Sequence, residues 1–569
     1  MFLLLLGACG PIDSKIPDIP DEDTAVEDTG ELPPLEHCGA ITADETWKAK
    51  RAHLVTCDVE VEQGTLTVEP GASVTFAENT GLSIGTADYE ASFVVDGSSS
   101  GVVFSPDGDF TWDGITVGDT AKNVAISGLS VKGTTAGVRI VGAEVTLGSL
   151  SIDGASEGCG LTMDEGAQFA DGATGLTVTG AASWGVCGEV RSAASLPASA
   201  SRYTGNASDG VYLTGSQLNE AATWENLGVP YVIAENVDVA GTADAPAVLT
   251  FTEGTTVRFE RDRALRFSRL GDASQLVATG SVDAPVTFDA LGADIAGYWH
   301  GLEVDRGADE VLLSHVVISG AGGAGAALTV NDTPVLLDDL SITGSAGAGV
   351  ELRGSAVFAT GSAGLAVSDS GLPVVLPPAS VPSLPTTGAS FTGNTVNAVQ
   401  VSGDAAVSES GTWPDPGVPY WLVDDVAVDG KADAPAIVTL SAGVDLLLDN
   451  NVGLYVGRNG AAGFVVDGTA AAPVTMEPWS ANTPGAWGGL GLYENTVAGG
   501  SRLSHLTIGY AGGTTLKGNL HLVDASPVLD TVYLHDGEEW GLYLNGDSAP
   551  DLTDVTYANN GLGPCNTCN

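Results

Sequence analysis

The sequence predicts an all-β chain wound into stacked coils, with one long unit written three times. Three observations carry that prediction. Short runs rich in Val, Leu, Ile and Thr alternate apolar and polar residues at period two, as in Gly64-Thr65-Leu66-Thr67-Val68, Val74-Thr75-Phe76, Gly81-Leu82-Ser83-Ile84 and Phe93-Val94-Val95. That alternation marks strands with one buried face. Gly, Asp, Asn or Ser interrupts the runs every few residues, which is the spacing of tight turns. No stretch keeps a helical period, and the scarcity of hairpin dipeptides favours coils over a meander. The third observation is that several unrelated markers return at nearly one offset.

Trp112-Asp113-Gly114-Ile115 returns as Trp299-His300-Gly301-Leu302 and Trp487-Gly488-Gly489-Leu490, at steps of 187 and 188 residues. Gly228-Val229-Pro230-Tyr231 returns 189 residues on as Gly417-Val418-Pro419-Tyr420, and Trp224 as Trp413. Thr204-Gly205-Asn206 matches Thr392-Gly393-Asn394, and Asp244-Ala245-Pro246-Ala247 matches Asp433-Ala434-Pro435-Ala436. The copies are expected at 38–230, 231–419 and 420–569, the last truncated. With about 22 residues per coil, each copy makes roughly eight coils and the body a rod about 110 Å long.

The first residues read as an address. Leu6-Gly7-Ala8-Cys9, after the apolar run from Phe2, resembles the lipobox of bacterial lipoproteins. The resemblance implies a signal segment at 1–8, cleavage before Cys9 and a diacylglycerol on its thiol. It also implies, through Gly10, residence in the outer membrane or at the cell surface. The expected tether, 9–37, is acidic and rich in proline: residues 11–36 hold nine acids, one base and five prolines. Such a segment self-repels and stays extended. The bilayer is therefore an expected partner through the acyl anchor alone.

Of the 569 residues, 72 are acidic and 20 are Lys or Arg, so the formal charge is 20 − 72 = −52. That field repels phosphate backbones and excludes nucleic acid as a partner. Hydrophobic residues still make up 43%, enough to build a core and to exclude global disorder.

The runs Gly468 to Met476, Trp487 to Leu490 and Leu503 to Tyr510, repeated one copy earlier as Gly280 to Phe288, Trp299 to Leu302 and Leu313 to Ile318, resemble the right-handed parallel β-helix repeats of bacterial surface proteins. These belong to the pectate-lyase-like superfamily. The resemblance covers residues 50–560 and implies the fold rather than an activity, because lyases, hydrolases, adhesins and inert stalks share the scaffold.

Apart from Cys9, six cysteines remain, and proximity pairs them as Cys38–Cys57, Cys159–Cys187 and Cys565–Cys568, one of fifteen connectivities. The first and last pairs would cap the open ends of the solenoid.

Candidate chemistry is sparse. The recurring Trp residues read as packing groups in turns, with sugar stacking as the functional alternative. His315 and His505 hold equivalent places, Gly128 taking that place in the first copy, with no carboxylate recurring beside them. Asp338-Asp339 and Asp424-Asp425 should point to opposite faces of a strand and so make poor ligand pairs. Weak structural calcium on stacked acids is the one cofactor the composition admits. Arg258, Arg261, Arg263, Arg266 and Arg269 place a quarter of all basic residues within twelve positions. They form either an anion-binding patch for a carboxylate polysaccharide, a lipid phosphate or an acidic surface protein, or ion pairs with Glu253, Glu260, Asp262 and Asp272. The Pro-rich stretch 371–385 reads as a loop bulging from the rod.

These readings converge on a non-enzymatic, lipid-anchored surface protein with a structural, adhesive or ligand-binding role. A β-helix polysaccharide lyase or glycoside hydrolase is the alternative, and it needs acids and a base converging on one face. Calcium-dependent carbohydrate binding is the third.

Overall fold

The computed structural model describes residues 33–567, except 87, 270, 271, 293, 294, 404 and 514. Cys9, the signal segment and most of the expected tether lie outside the described residues. Regular structure is almost entirely β, with two short 3-10 turns at Ser192–Ser195 and Pro378–Ser383. No helix among the described residues is long and apolar enough to cross a membrane. The chain is a parallel β-solenoid, as its period-two runs require. Three strands, Gly64–Val68, Ser73–Phe76 and Gly81–Ile84, make one coil. The next three, Ala91–Asp96, Val102–Pro106 and Gly114–Val117, stack on them strand for strand in parallel register. The expected tether boundary at residue 37 falls inside the first strand, Leu35–Ile41, which pairs with His53–Val61.

Alternation sets the inside and the outside. In Ser73–Phe76 the side chains of Val74 and Phe76 are buried while Ser73 faces out, and Val438 and Leu440 repeat the arrangement in Ala436–Leu440. The inward residues of successive coils stack in a continuous apolar column, each large side chain contributing about 1.5–3 kcal/mol by leaving water.

Corners between strands need left-handed backbone, and the copies solve this with the same residue types. Asn79, Asp262 and Asn451 hold one corner at φ 55°, 62° and 64°. Gly128, His315 and His505 hold another at φ 68°, 50° and 48°. Gly, Asn, Asp and His are the residues that tolerate this region best. The two histidines thus stand at left-handed corners within the strand runs Ala308–Ser319 and Arg502–Gly509.

The coils are longer than expected, and they do not divide the repeat evenly. Seven pairings lead from Ile84 through Val117, Ile140, Met163, Gly188, Leu213 and Ile233 to Phe259. They cover 259 − 84 = 175 residues, or 25 per coil. Yet the counterpart of Phe259 is Phe76, one strand earlier than Ile84. Seven strand steps likewise lead from Ala264–Phe267 to Asp445–Leu448, through Gly301–Val304, Ala326–Asn331, Ala348–Arg353, Leu372–Leu376, Val399–Val401 and Tyr420–Leu422. Here Leu448 is the counterpart of Phe259, not of Phe267. Each copy therefore fills seven coils plus one strand, so equivalent residues of successive copies lie on successive faces. The expectation of about eight 22-residue coils is corrected accordingly, because turn insertions lengthen some coils. Phe267 and Val304, direct ladder neighbours, are 37 residues apart.

The Trp markers are core residues. Trp112, Trp299 and Trp487 are fully buried, and each indole N–H donates to a carbonyl of the following coil, Lys132, Ser319 and Gly509 respectively, at 2.7–2.8 Å. The Pro-rich stretch is not a bulging loop. Leu372–Leu376 is a strand and Pro378–Ser383 a 3-10 turn that buries Val381, because its apolar residues face the column while proline rings suit the tight turn.

Candidate functional site

The structure forms two of the expected disulfides. Cys38–Cys57 links the first two coils, and Cys159–Cys187 links two coils farther along. The third expected pair ends at Cys568, outside the described residues.

The five arginines are spread over two adjacent strands and the corner between them. Arg258 lies on Thr256–Phe259, Arg261 and Arg263 flank the Asp262 corner, Arg266 lies on the next strand, and Arg269 follows it. Arg266, its side chain only 14% exposed, sits in the ladder between Asp238 and Glu303, 3.1 Å from Glu303 and 4.0 Å from Asp238. Arg269 also reaches Asp238, Arg258 faces Asp289, and Arg261 lies over the Tyr298 ring. The carboxylates that sequence neighbourhood offered take other roles. Glu260 accepts from the Tyr212 hydroxyl, Glu253 from Ser281, and Asp262 forms the corner. In a solenoid an outward side chain meets the coils above and below, which are a coil length away in sequence.

Both Asp pairs depart from the expected alternation. Asp339 has φ 67°, so it and Asp338 are both exposed, Asp338 accepting from Ser314 and Asp339 facing His315 at 3.9 Å. Asp424 and Asp425 accept backbone N–H groups from opposite neighbouring coils, Gly403 and Gly453. Among the described residues no group of three or more His, Cys, Asp and Glu is placed to hold a metal ion.

A convergence of two acids and a histidine lies on the third copy, and sequence reasoning missed it. Glu477 points outward from Val474–Pro478, and His535 ends Val528–His535. Between their strands runs Arg502–Gly509, whose Gly509 is the ladder neighbour of His535. Glycine leaves a gap there. A Cβ on Gly509 would come within 2.4 Å of His535 and 2.8 Å of Glu477. Across the gap His535 Nε2 meets Glu477 Oε1 at 3.1 Å, while its Nδ1 meets Asp536 Oδ2 at 2.9 Å. A neutral imidazole carries one N–H, so making both contacts as hydrogen bonds takes a second proton somewhere in the cluster. Burial raises the Glu477 pKa, His535 opposes that rise and Asp536 adds to it. Glu477 Oε2 is buried without a hydrogen-bond partner among the described residues. Tyr533 stacks on His535 at 4.8 Å, and Tyr510 meets it edge-on at 5.4 Å.

Two further features flank this cluster on the same outward face. On one side lies a hollow of about 470 Å³ lined by Pro473, His505, Thr507, Thr531 and Tyr533, among others. On the other, Trp479 stacks on Trp421, centroids 4.5 Å apart and 17° from parallel, over the strand that carries Leu447. Both indoles are partly exposed, unlike the buried Trp of the core.

Comparison of the copies shows how the site arose. In copy two the place of Glu477 is held by Asp289, whose oxygens are met by Ser319, the Ala290 N–H and Arg258. Copy three replaces Ser319 with Gly509, Thr343 with His535 and Arg258 with Leu447. Position-by-position comparison of the copies is the sequence signal that would have found it. No family model, no curated protein and no solved structure matches the chain at a significant level.

Proposed function

We propose that the chain is a non-enzymatic, lipid-anchored cell-surface protein whose solenoid carries a ligand-binding face at a distance from the bilayer. The observation that supports it is the divergence of copy three from a shared frame. Where copy two satisfies its acid with local partners, copy three leaves one oxygen of Glu477 unpartnered beside surface indoles. A purely structural repeat has no need of that change. The stagger of seven coils plus one strand turns equivalent surfaces to different faces. A single long groove built from repeated elements is therefore disfavoured, and one specialised face on a rod is favoured. In this reading Cys9 holds the anchor and the acidic tether separates the rod from the membrane.

Glycoside hydrolysis or lyase chemistry is the second reading. It is favoured by one observation, the convergence of Glu477, Asp536 and His535, which supplies two acids and a base on one face.

The deciding experiment incubates the full chain with a glycan panel, with calcium and with chelator. Retention without turnover is expected. Release of new reducing ends or unsaturated products would establish the enzymatic reading instead. Chelator-sensitive retention would add calcium to the site. Incorporation of labelled palmitate, lost in Cys9→Ser, tests the anchor.

A further inference from the structure

We propose that the face formed by Trp421, Trp479, Glu477, His535 and Tyr533 binds a pyranose ring that carries no carboxylate, a neutral or amino sugar unit of a polysaccharide. This inference rests on the ligand-binding reading above and names the ligand's chemistry.

Four observations point the same way. The first is the indole pair. Copy two covers the equivalent surface with Val232 and Leu291, so aliphatic side chains suffice for the fold. Two partly exposed, stacked indoles add a flat apolar plate, the surface against which the C–H face of a sugar ring packs. The second is the free acceptor. Glu477 Oε1 is occupied by His535, but Oε2 is buried and unpartnered. Leaving a buried acceptor unmet is costly, and Oε2 lies over the bare backbone of Gly509, where a sugar O–H or N–H entering beside the indole plate would meet it.

The third is charge. Loss of the copy-two arginine, whose place Leu447 takes, together with Asp536 beside His535 and the net charge of −52, makes the face hostile to uronates. The fourth is space. Outward residues Thr475, Glu477 and Trp479 follow one another along the strand direction, a run of about 13 Å. It extends from the hollow beside Tyr533 to the indole plate, so a chain of linked rings can lie along it.

The test uses the full chain and isothermal titration with three probes: N-acetylchitotriose, its deacetylated form and trigalacturonate. The variants Trp421→Val and Trp479→Leu carry copy-two residues, which the same frame already accommodates, while Glu477→Gln and Gly509→Ser alter the cluster, the second by pressing a side chain between His535 and Glu477. Expected are binding of at least one carboxylate-free trisaccharide and no measurable binding of trigalacturonate. Affinity should fall tenfold or more in Trp421→Val or Trp479→Leu, with the melting temperature unchanged in these two, and several-fold in Glu477→Gln and Gly509→Ser. Preference for trigalacturonate overturns the proposal. So does unchanged affinity in both Trp variants, which leaves the ligand-binding reading standing with its site elsewhere. Absence of binding to any of the three and to the wider glycan panel removes both the site and the reading.

Discussion

Phe259 and Trp299 lie face to face in the core, ring centroids 3.9 Å apart and 1° from parallel. Phe76 and Trp112 repeat the contact one copy earlier at 3.8 Å and 15°. In the third copy Leu448 takes the Phe position, and Trp487 keeps its indole hydrogen bond to Gly509 with no aromatic ring stacked on it among the described residues. Truncating any of the three indoles to Ala empties a fully buried volume and should cost about 3–5 kcal/mol. Trp487→Ala should cost less than Trp299→Ala by about 0.5–1.5 kcal/mol, the part contributed by ring stacking beyond area. Urea unfolding of the two variants checks the difference, and equal losses would assign the whole effect to volume.

These stacks also show what the sequence made legible. A Trp followed two residues later by Gly, returning at steps of 187 and 188, announced a packing role because a glycan platform has no reason to keep such spacing. Period-two runs announced the strands. Coil length was hidden, since turn insertions such as the one between Phe267 and Val304 leave no mark in the alternation. The partners of the arginines were hidden for the same reason. Arg266 meets Asp238 and Glu303, 28 and 37 residues away, because neighbours in a solenoid are one coil apart rather than one residue apart. His535 and Glu477 are separated by 58 residues and two coils, and the Gly509 between them is silent until the ladder is known.

Arg266 therefore differs in worth from its neighbours. It is largely buried between two carboxylates, whereas Arg258 is about half exposed and 3.9 Å from Asp289. Arg266→Ala leaves Asp238 and Glu303 facing each other across a coil and should cost about 3 kcal/mol. Arg258→Ala should cost less than about 1 kcal/mol. Melting in low and high salt checks this, with a salt-dependent loss expected for Arg266→Ala. Equal effects would place both arginines at the solvated surface.

The Cys38–Cys57 bond closes a separation of 19 residues at the first coil. Its removal should release about 3 kcal/mol of chain-entropy constraint. Ends of solenoids open before their centres, so the loss should stay local. Hydrogen exchange of a Cys38→Ser, Cys57→Ser double variant should quicken over 35–61 and stay unchanged over 247–304. Faster exchange throughout would show that the coils unfold as one cooperative unit.

His521 supplies the acid response. It is 8% exposed, neither ring nitrogen has a hydrogen-bond partner among the described residues, and Tyr543 meets its ring edge-on at 4.9 Å. Burial, with the Lys517 charge adding, pushes its pKa down to about 4. Burial likewise lowers that of His37 in the first coil. A histidine whose folded pKa is depressed binds its proton more readily in the unfolded chain. The stability that neutral His521 contributes is therefore complete above about pH 6.5 and is lost as pH falls from there toward about 4. The loss at the lower limit is on the order of 2–3 kcal/mol. Protonation of the many surface carboxylates relieves repulsion over an overlapping range, so the wild-type curve alone mixes two effects of opposite sign. The comparison that isolates His521 is with His521→Phe, which keeps a ring against Tyr543 and cannot take a proton. The two proteins should keep a constant difference above about pH 6.5, and the variant should gain on the wild type steadily from there down to about pH 4. Parallel curves across that range would mean that the imidazole reaches water in the folded chain, and that the cover over it opens before the coil does.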